Sequence, residues 1–319
     1  MKQKIRPIDT GKIKTYSLKE RESRVSRERF GRAIRPGARF SDFLQALPDI
    51  LAGSDLRAIV KRVAEAVRNG RPVLVGMGAH VIKVGLNPIL ITLMEKGVVS
   101  GLAVNGACII HDTEIAMVGR TSEDVAAVLG GGDFGMAEET GGFLNEAIIR
   151  GAREGLGLGE AVGKKILESG LPYAHLSLLA TAARLDIPLT VHVAIGADII
   201  HMHPKADGAA IGNTSLQDFR LFCSLAAMLE GGVYFNIGSA VILPEVFLKA
   251  LSVARNLGHE VKQFTTVNMD FIRHYRPMTN VVSRPTMEGG QGYCLVGHHE
   301  IMVPLLAAAI LEELEAGRG

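Results

Sequence analysis

The sequence predicts an α/β fold: a mostly parallel, doubly wound sheet of about six strands flanked by helices. Short apolar, β-rich runs recur along the chain, segments of helical periodicity separate them, and glycine or polar residues directly follow most of the runs. At 319 residues, with 47% hydrophobic and 21% charged side chains and a mean hydropathy of +0.22, the chain can fill one large domain or two smaller ones. That composition excludes a disordered chain, a collagen and a coiled coil.

The elements follow in order. Residues 1–39 read as a basic arm, with 13 Lys and Arg against four acidic residues and few large apolar side chains. The whole chain has 35 basic and 33 acidic residues, so the net charge of +2 is the sum of a +9 arm and a −7 body over residues 40–319. The arm is either a solvated tail or a segment that docks on a neighbouring subunit or an anion. Apolar spacing over 43–51 predicts a short helix, and Asp55 is expected to cap a second that stops at Asn69-Gly70. The run 72–79 predicts the first strand, 81–96 a helix despite Pro88, and 98–104 the second strand, ending in Asn105-Gly106-Ala107. A polar helical stretch with His111, Asp112 and Glu114 comes next.

Residues 130–159 are rich in glycine and read as a loop bordering a site or as a flexible connection. Helices are expected at 160–168 and 174–185, the second stopped by Asp186-Ile187-Pro188. Alternation then resumes: strand 189–195, helix 216–229, strand 233–237, helix 244–257, strands 261–267 and 293–296, and helix 301–314. Right-handed crossovers make a parallel sheet the default for this order.

Several function classes are disfavoured at this stage. Cys108, Cys223 and Cys294 lie far apart with no C-x-x-C pair, which argues against a disulfide framework or a thiolate zinc site and for a reducing, cytoplasmic setting. No apolar run reaches the roughly 18 residues needed to span a bilayer. The near-neutral total gives no pull toward nucleic acid or an anionic membrane, so a small molecule is the expected partner.

In such sheets ligands bind beyond the carboxyl ends of the strands. The residues there are polar: Gly76, Gly78, Ala79 and His80 after the first strand, Asn105, Gly106, His111 and Asp112 after the second. Gly196, Asp198, His201 and His203 follow the third, Asn236, Gly238 and Ser239 the fourth, and Asn268 and Asp270 the fifth. A glycine loop opening a helix suits a phosphate, although Gly76-Met77-Gly78 lacks the third glycine of G-x-G-x-x-G. His203 or His298 can act as a general acid or base, sharing a proton with Asp198 or Glu300. In the alternative reading His201, His203, His298 and His299 bind a divalent metal, with His192 and Asp198 in reach, and the protein is a metal-dependent hydrolase or lyase. The plainer reading has these histidines satisfying buried hydrogen bonds at strand ends. A third reading is a ligand-binding oligomer without catalysis.

The order of motifs resembles the deoxyhypusine synthase family from about Pro72 onward. The likeness is carried by GAHVIKVGL (78–86), VVSGLAVNG (98–106), GKKILE (163–168) with the later Asp186-Ile187-Pro188, GVYFNIGS (232–239) and IMVPLL (301–306). It implies a Rossmann-like fold, a homotetramer with sites at subunit interfaces, and NAD as cofactor. It also implies a transferase that oxidises spermidine and passes its aminobutyl group through a lysine imine to a lysine of a translation factor, or in some relatives makes homospermidine. By position, Gly78, Ala79, His80, Asn105 and Gly106 lie along the NAD, with residues 194–198, Gly196 included, near its nicotinamide end. The reading of the residues themselves gives Asp198, His203 and His298 as candidate catalytic residues in a polar pocket. The sequence departs from the pattern where the family's lysine falls, about Val282-Ser283-Arg284-Pro285; its only lysine after residue 250 is Lys262. Arginine forms no imine. Ile242 or Leu243 stands in place of the family's polyamine-site histidine.

Overall fold

The structure, a computed structural model, describes residues 5–317, so Lys2 and Lys4 of the arm lie outside the described residues. The chain divides into two units, with the boundary after Gly53. In the first, every described residue through Arg39 is exposed. Its regular structure is one 3-10 turn at Arg27–Arg29 and helix α1, Phe40–Ala46. Backbone and side-chain bonds tie the end of the arm to the α1 region: Arg32 N–H donates to Ala46 O at 2.9 Å, and Arg29 Nε to Asp49 O at 2.7 Å.

The second unit is built on six parallel strands: β1 Val73–Met77, β2 Gly101–Asn105, β3 Leu189–His192, β4 Val233–Ile237, β5 Thr265–Asp270 and β6 Gln291–Val296. Their order across the sheet is β3-β2-β1-β4-β5-β6. The helices are α2 Ala52–Arg68, α3 His80–Lys83, α4 Asn87–Glu95, α5 Gly106–Val118, α6 Val125–Val128, α7 Glu138–Glu154 and α8 Leu158–Glu168. They continue with α9 Leu178–Leu185, α10 Gly208–Ala227, α11 Ile242–Asn256, α12 Tyr275–Pro277 and α13 His299–Ala316. The sheet is the one the sequence predicts, and it is wholly parallel. No helix among the described residues is long and apolar enough to cross a membrane.

Several boundaries differ from the sequence reading, each for a physical reason. The expected helix over 81–96 breaks into α3 and α4, with Gly85 between them at φ +78°. Pro88 has no N–H to continue a helix but fits the first turn of a new one. The glycine-rich stretch 130–159 is mostly helix α7 and the start of α8, not a loop or flexible connection. Its glycines serve close packing: a Cβ at Gly141 would lie 2.4 Å from the His203 ring, and one at Gly151 2.5 Å from Ala161. Helix α2 begins at Ala52, so Asp55 sits in its first turn and not at its cap. Helix α10 starts eight residues earlier than its apolar pattern suggests, because the Asp207 carboxylate caps the N–H groups of Ala209 and Ala210. The second, third and fifth strands are also offset from the expected runs. Segment 271–290, for which the sequence predicts no element, holds α12 and a π-helical stretch over Met278–Ser283.

Edge strand β3 is covered on its open side by α10. Val191 N–H donates to Asp218 at 2.7 Å, and Ser215 Oγ donates to Val191 O at 3.0 Å. Side chains of α10 thus satisfy backbone groups that an uncovered edge strand would leave open.

At the centre, Tyr234 of β4 is fully buried and stacks on Phe247 with ring centroids 3.8 Å apart. Its hydroxyl has no hydrogen-bond partner, and Gly76 leaves it room, since a Cβ there would lie 2.2 Å from the oxygen. Tyr234→Phe is expected to raise the unfolding free energy by about 1 kcal/mol, the relief of an unsatisfied buried hydroxyl. Urea denaturation measures it; a loss of stability would show that the hydroxyl is hydrogen-bonded in solution.

Candidate functional site

The strand order reverses direction between β1 and β4, and in parallel sheets the binding crevice opens there, beyond the carboxyl ends. Two glycine turns meet at this point. A Cβ on Gly78 would lie 2.4 Å from the carbonyl oxygen of Gly238, and Gly238 itself has φ +65°. Their backbones are pinned by Gly78 N–H to Ile237 O and Gly238 N–H to Met269 O, both at 3.0 Å. Beneath them Asn236 Nδ2 donates to Asn268 Oδ1 at 2.8 Å and to Ser239 O at 2.9 Å. The glycines here are needed for backbone-to-backbone contact, which fixes the floor of the crevice.

On the β2–β3 side, Asn105 caps α5 by accepting the Cys108 N–H at 3.3 Å. Asp198, from the turn after β3, lies against the head of this helix: a Cβ on Gly106 would fall 2.1 Å from its Oδ2. That oxygen is buried and has no hydrogen-bond partner. Burial pushes the Asp198 pKa up, opposed by His201 and by the Ala194 N–H. Gly196, at φ +89°, faces open space and gives its N–H to His201 Nδ1 at 3.2 Å. His203 is buried against α7, its Nδ1 accepting from Lys205 N–H and its Nε2 3.4 Å from Glu138 Oε2.

On the other side, β4, β5 and β6 converge on His299, the first residue of α13. Its side chain is fully buried, and both ring nitrogens lack hydrogen-bond partners. Nε2 stands 4.0 Å from Oδ1 of Asp270, the last residue of β5. The exposed rings surround it: His80 has its centroid 5.8 Å away and Phe271 6.4 Å away, and Phe271 stacks on His298 at 6.1 Å and 8°.

The structure therefore brings Asp198, His201 and His203 to one edge, and His80, Asp270, His298 and His299 to the other. Strands β3 and β6 are opposite edges, about 24 Å apart at the spacing of parallel strands, so His203 and His298 do not share a site within one chain. The alternative metal set of His201, His203, His298 and His299 is not brought together either: among the described residues no three His, Cys, Asp or Glu side chains are placed to hold an ion. His192 is the plain case, a neutral core histidine paired with Thr190 at 3.0 Å and edge-on to Phe222, its pKa pressed down to about 4 by burial. Lys262 precedes β5 and so lies at the amino end of the strands, away from the crevice. The sequence reading named Asp270 and His299 separately but missed them as a pair; the signal available was their common position at neighbouring strand ends.

A cleft of about 970 Å³ lies apart from the crevice, between the second half of α5 and the start of α7. Its carboxylates are largely engaged within the chain. Glu114 accepts from Thr121 and Thr140, Glu123 accepts the Gly135 N–H at 3.1 Å, and Glu146 pairs with Lys165 and Lys205. The crevice, by contrast, holds buried polar atoms that find no hydrogen-bond partner among the described residues.

Strand order, switch point and glycine-lined crevice define a Rossmann-like α/β protein. Solved structures share this fold. One is AgrE, determined in complex with ornithine and NAD+, with 16% identity and a TM-score of 0.52 over 84% of this chain and 34% of that one. Others are a conserved protein assigned as LOR/SDH from Methanococcus maripaludis S2 (16%, 0.53, 82% and 70%) and a protein assigned as a deoxyhypusine synthase from Entamoeba histolytica (12%, 0.51, 88% and 96%). The chain spans about a third of the length of AgrE. No family model and no curated protein matches the sequence.

Proposed function

We propose that this chain is an NAD-dependent enzyme of the transferase type, similar in kind to the deoxyhypusine synthases, acting on a small amine. One observation carries the reading: the buried, unpartnered Oδ2 of Asp198 beside Gly106, at the carboxyl end of β2. Dinucleotide folds keep a carboxylate near this point for a ribose hydroxyl. Here the turn after β3 supplies it, and Gly106 admits it because any side chain would collide. A ribose hydroxyl donating to Oδ2 satisfies an acceptor whose burial otherwise costs about 1–3 kcal/mol. The backbone of 78–80 and 105–106 lines the crevice along which the dinucleotide extends. When bound, NAD supplies a hydride acceptor. The amine class is supported by the resemblance and by a neighbour solved with ornithine and NAD+. With Arg284 where the family has its lysine, the transfer step runs without a lysine imine at that position. The same reading has the protein cytoplasmic and a homo-oligomer, a tetramer as the resemblance implies, with no nucleic-acid partner.

NAD+ at about 100 times its Kd is expected to add roughly 2.7 kcal/mol to the unfolding free energy. Asp198→Asn, which keeps the shape and removes the charge, weakens NAD+ and ADP-ribose binding by about tenfold or more. Calorimetric titration and thermal unfolding read both; no stabilisation by millimolar NAD+ removes the cofactor from the proposal.

A further inference from the structure

We propose that two copies of this chain join edge to edge through strand β6, antiparallel about a twofold axis at Cys294, so that their sheets become one. The inference rests on the homo-oligomer part of the reading above and is independent of its dinucleotide part.

The two edges of the sheet are finished differently. At β3 the side chains of Asp218 and Ser215 on α10 take up the outward backbone groups of Val191. At β6 nothing equivalent is found among the described residues. The strand pairs with β5 along its whole length, and its ends are marked by Gln291 N–H donating to Phe264 O at 3.0 Å and Gly297 N–H to Asp270 O at 3.1 Å. Alternate residues of a parallel strand bond to the same neighbour, so residues 291, 293, 295 and 297 turn their backbone groups toward β5. Those of Gly292, Cys294 and Val296 point outward, and none has a hydrogen-bond partner among the described residues.

The faces of β6 do have neighbours. Gly292 admits the Val282 carbonyl oxygen of the π-helical stretch, 2.0 Å from where a Cβ would lie, and Arg62 of α2 reaches Gln291 Oε1 at 3.4 Å. The edge stays bare, and the strand Gln291–Val296 carries no charge, proline or bulge, the devices that keep edge strands from pairing.

Three observations select a second copy as the occupant. The outward groups are symmetric about Cys294: antiparallel pairing sets Cys294 against Cys294 and Gly292 against Val296 of the second copy, each pair exchanging both of its N–H···O bonds. Antiparallel pairing also brings Met287, which precedes the strand, to the same end as Ile301, which follows it; these apolar side chains are 77% and 63% exposed in the single chain. Finally, the twofold closes the sheet. The joined sheet ends in β3 on both sides, where α10 already covers the edge, whereas an added peptide strand would present a new open edge. The two crevices then open at opposite ends of the joined sheet, and both remain accessible.

The test uses the full-length protein. Sedimentation gives its mass, and residue-resolved hydrogen exchange is expected to show the amides of Gly292, Cys294 and Val296 exchanging as slowly as those of Tyr293 and Leu295. A short bismaleimide joins two chains through Cys294, with Cys108 and Cys223 buried, and Cys294→Ser abolishes the product. Cys294→Pro removes an outward N–H and leaves the bonds to β5 intact; it raises the dissociation constant of the pair about 100-fold or more. Val296→Lys, which puts a charge on the edge, acts in the same direction and covers the case that the proline variant does not fold. A monomeric wild type overturns this interface and the homo-oligomer together, while NAD+ titration of the same sample still decides the dinucleotide reading. An oligomer with fast-exchanging outward amides, or with no Cys294 cross-link, overturns the β6 interface alone.

Discussion

Asp112→Ala is expected to lower the unfolding free energy by about 3–5 kcal/mol, because it strips the acceptor from four buried donors at once. One carboxylate at the middle of α5 takes hydrogen bonds from Asn87 Nδ2 (2.9 Å), Ser177 Oγ (2.5 Å), Leu178 N–H (2.9 Å) and Leu179 N–H (3.1 Å). It ties the start of α4 and the first turn of α9 to α5. The Asp112 side chain is fully buried, and burial pushes its pKa up to about 6 against the pull of those four donors. Asp112→Asn retains one oxygen but turns an NH2 toward groups that can only donate or are already donating, so it recovers little of the loss. Urea denaturation of both variants measures the effect; a loss under 1 kcal/mol for Asp112→Ala would mean that water or a shifted neighbour replaces the carboxylate.

The second large effect is on pH dependence. Asp218 of α10 accepts from Gly159 N–H at 2.9 Å and Val191 N–H at 2.7 Å, and burial raises its pKa from 3.8 to about 7. The raised value means that the folded chain holds a proton that the unfolded chain has released. Between about pH 4 and 7 this group therefore makes stability fall as pH rises, by up to about 1.4 kcal/mol per unit, and above pH 7 the cost is fully present. Asp112 adds the same sign up to about pH 6. Asp218→Asn is close in shape to the protonated acid and does not titrate. Its stability is expected to match the wild type near pH 4 and to exceed it by a few kcal/mol at pH 7.5. Parallel stability–pH curves for the two proteins would show that Asp218 ionises in the folded state as easily as in the unfolded.

Much of the fold is legible in the sequence because local patterns carry it. The run at 233–237 is a strand within the observed bounds, and Asp186, at φ +55°, stops α9 where Asp186-Ile187-Pro188 predicts. Where prediction slips, a non-local contact intervenes. The glycines of 130–159 look like loop glycines until His203 and Ala161 are found pressed against them in a helix. For the site, the sequence names Asp198, His203, His298, His299 and Asp270 as candidates; Asp270 ends β5, His298 and His299 follow β6 within three residues, and Asp198 and His203 lie in the longer connection between β3 and α10. It does not tell which of them meet.

Periodicity, glycine punctuation and the short β-rich runs by themselves determined that this chain alternates strands and helices in a parallel sheet with polar strand ends. Each rests on the geometry of a few consecutive residues. The tertiary structure alone decided the strand order, and with it the separation of His203 from His298 and the meeting of Asp270 with His299. It also decided which histidine is paired, as His192 is, and which is left unsatisfied, as His299 is. Those outcomes depend on distances between residues far apart in the chain, which crossover connections set and local pattern does not encode.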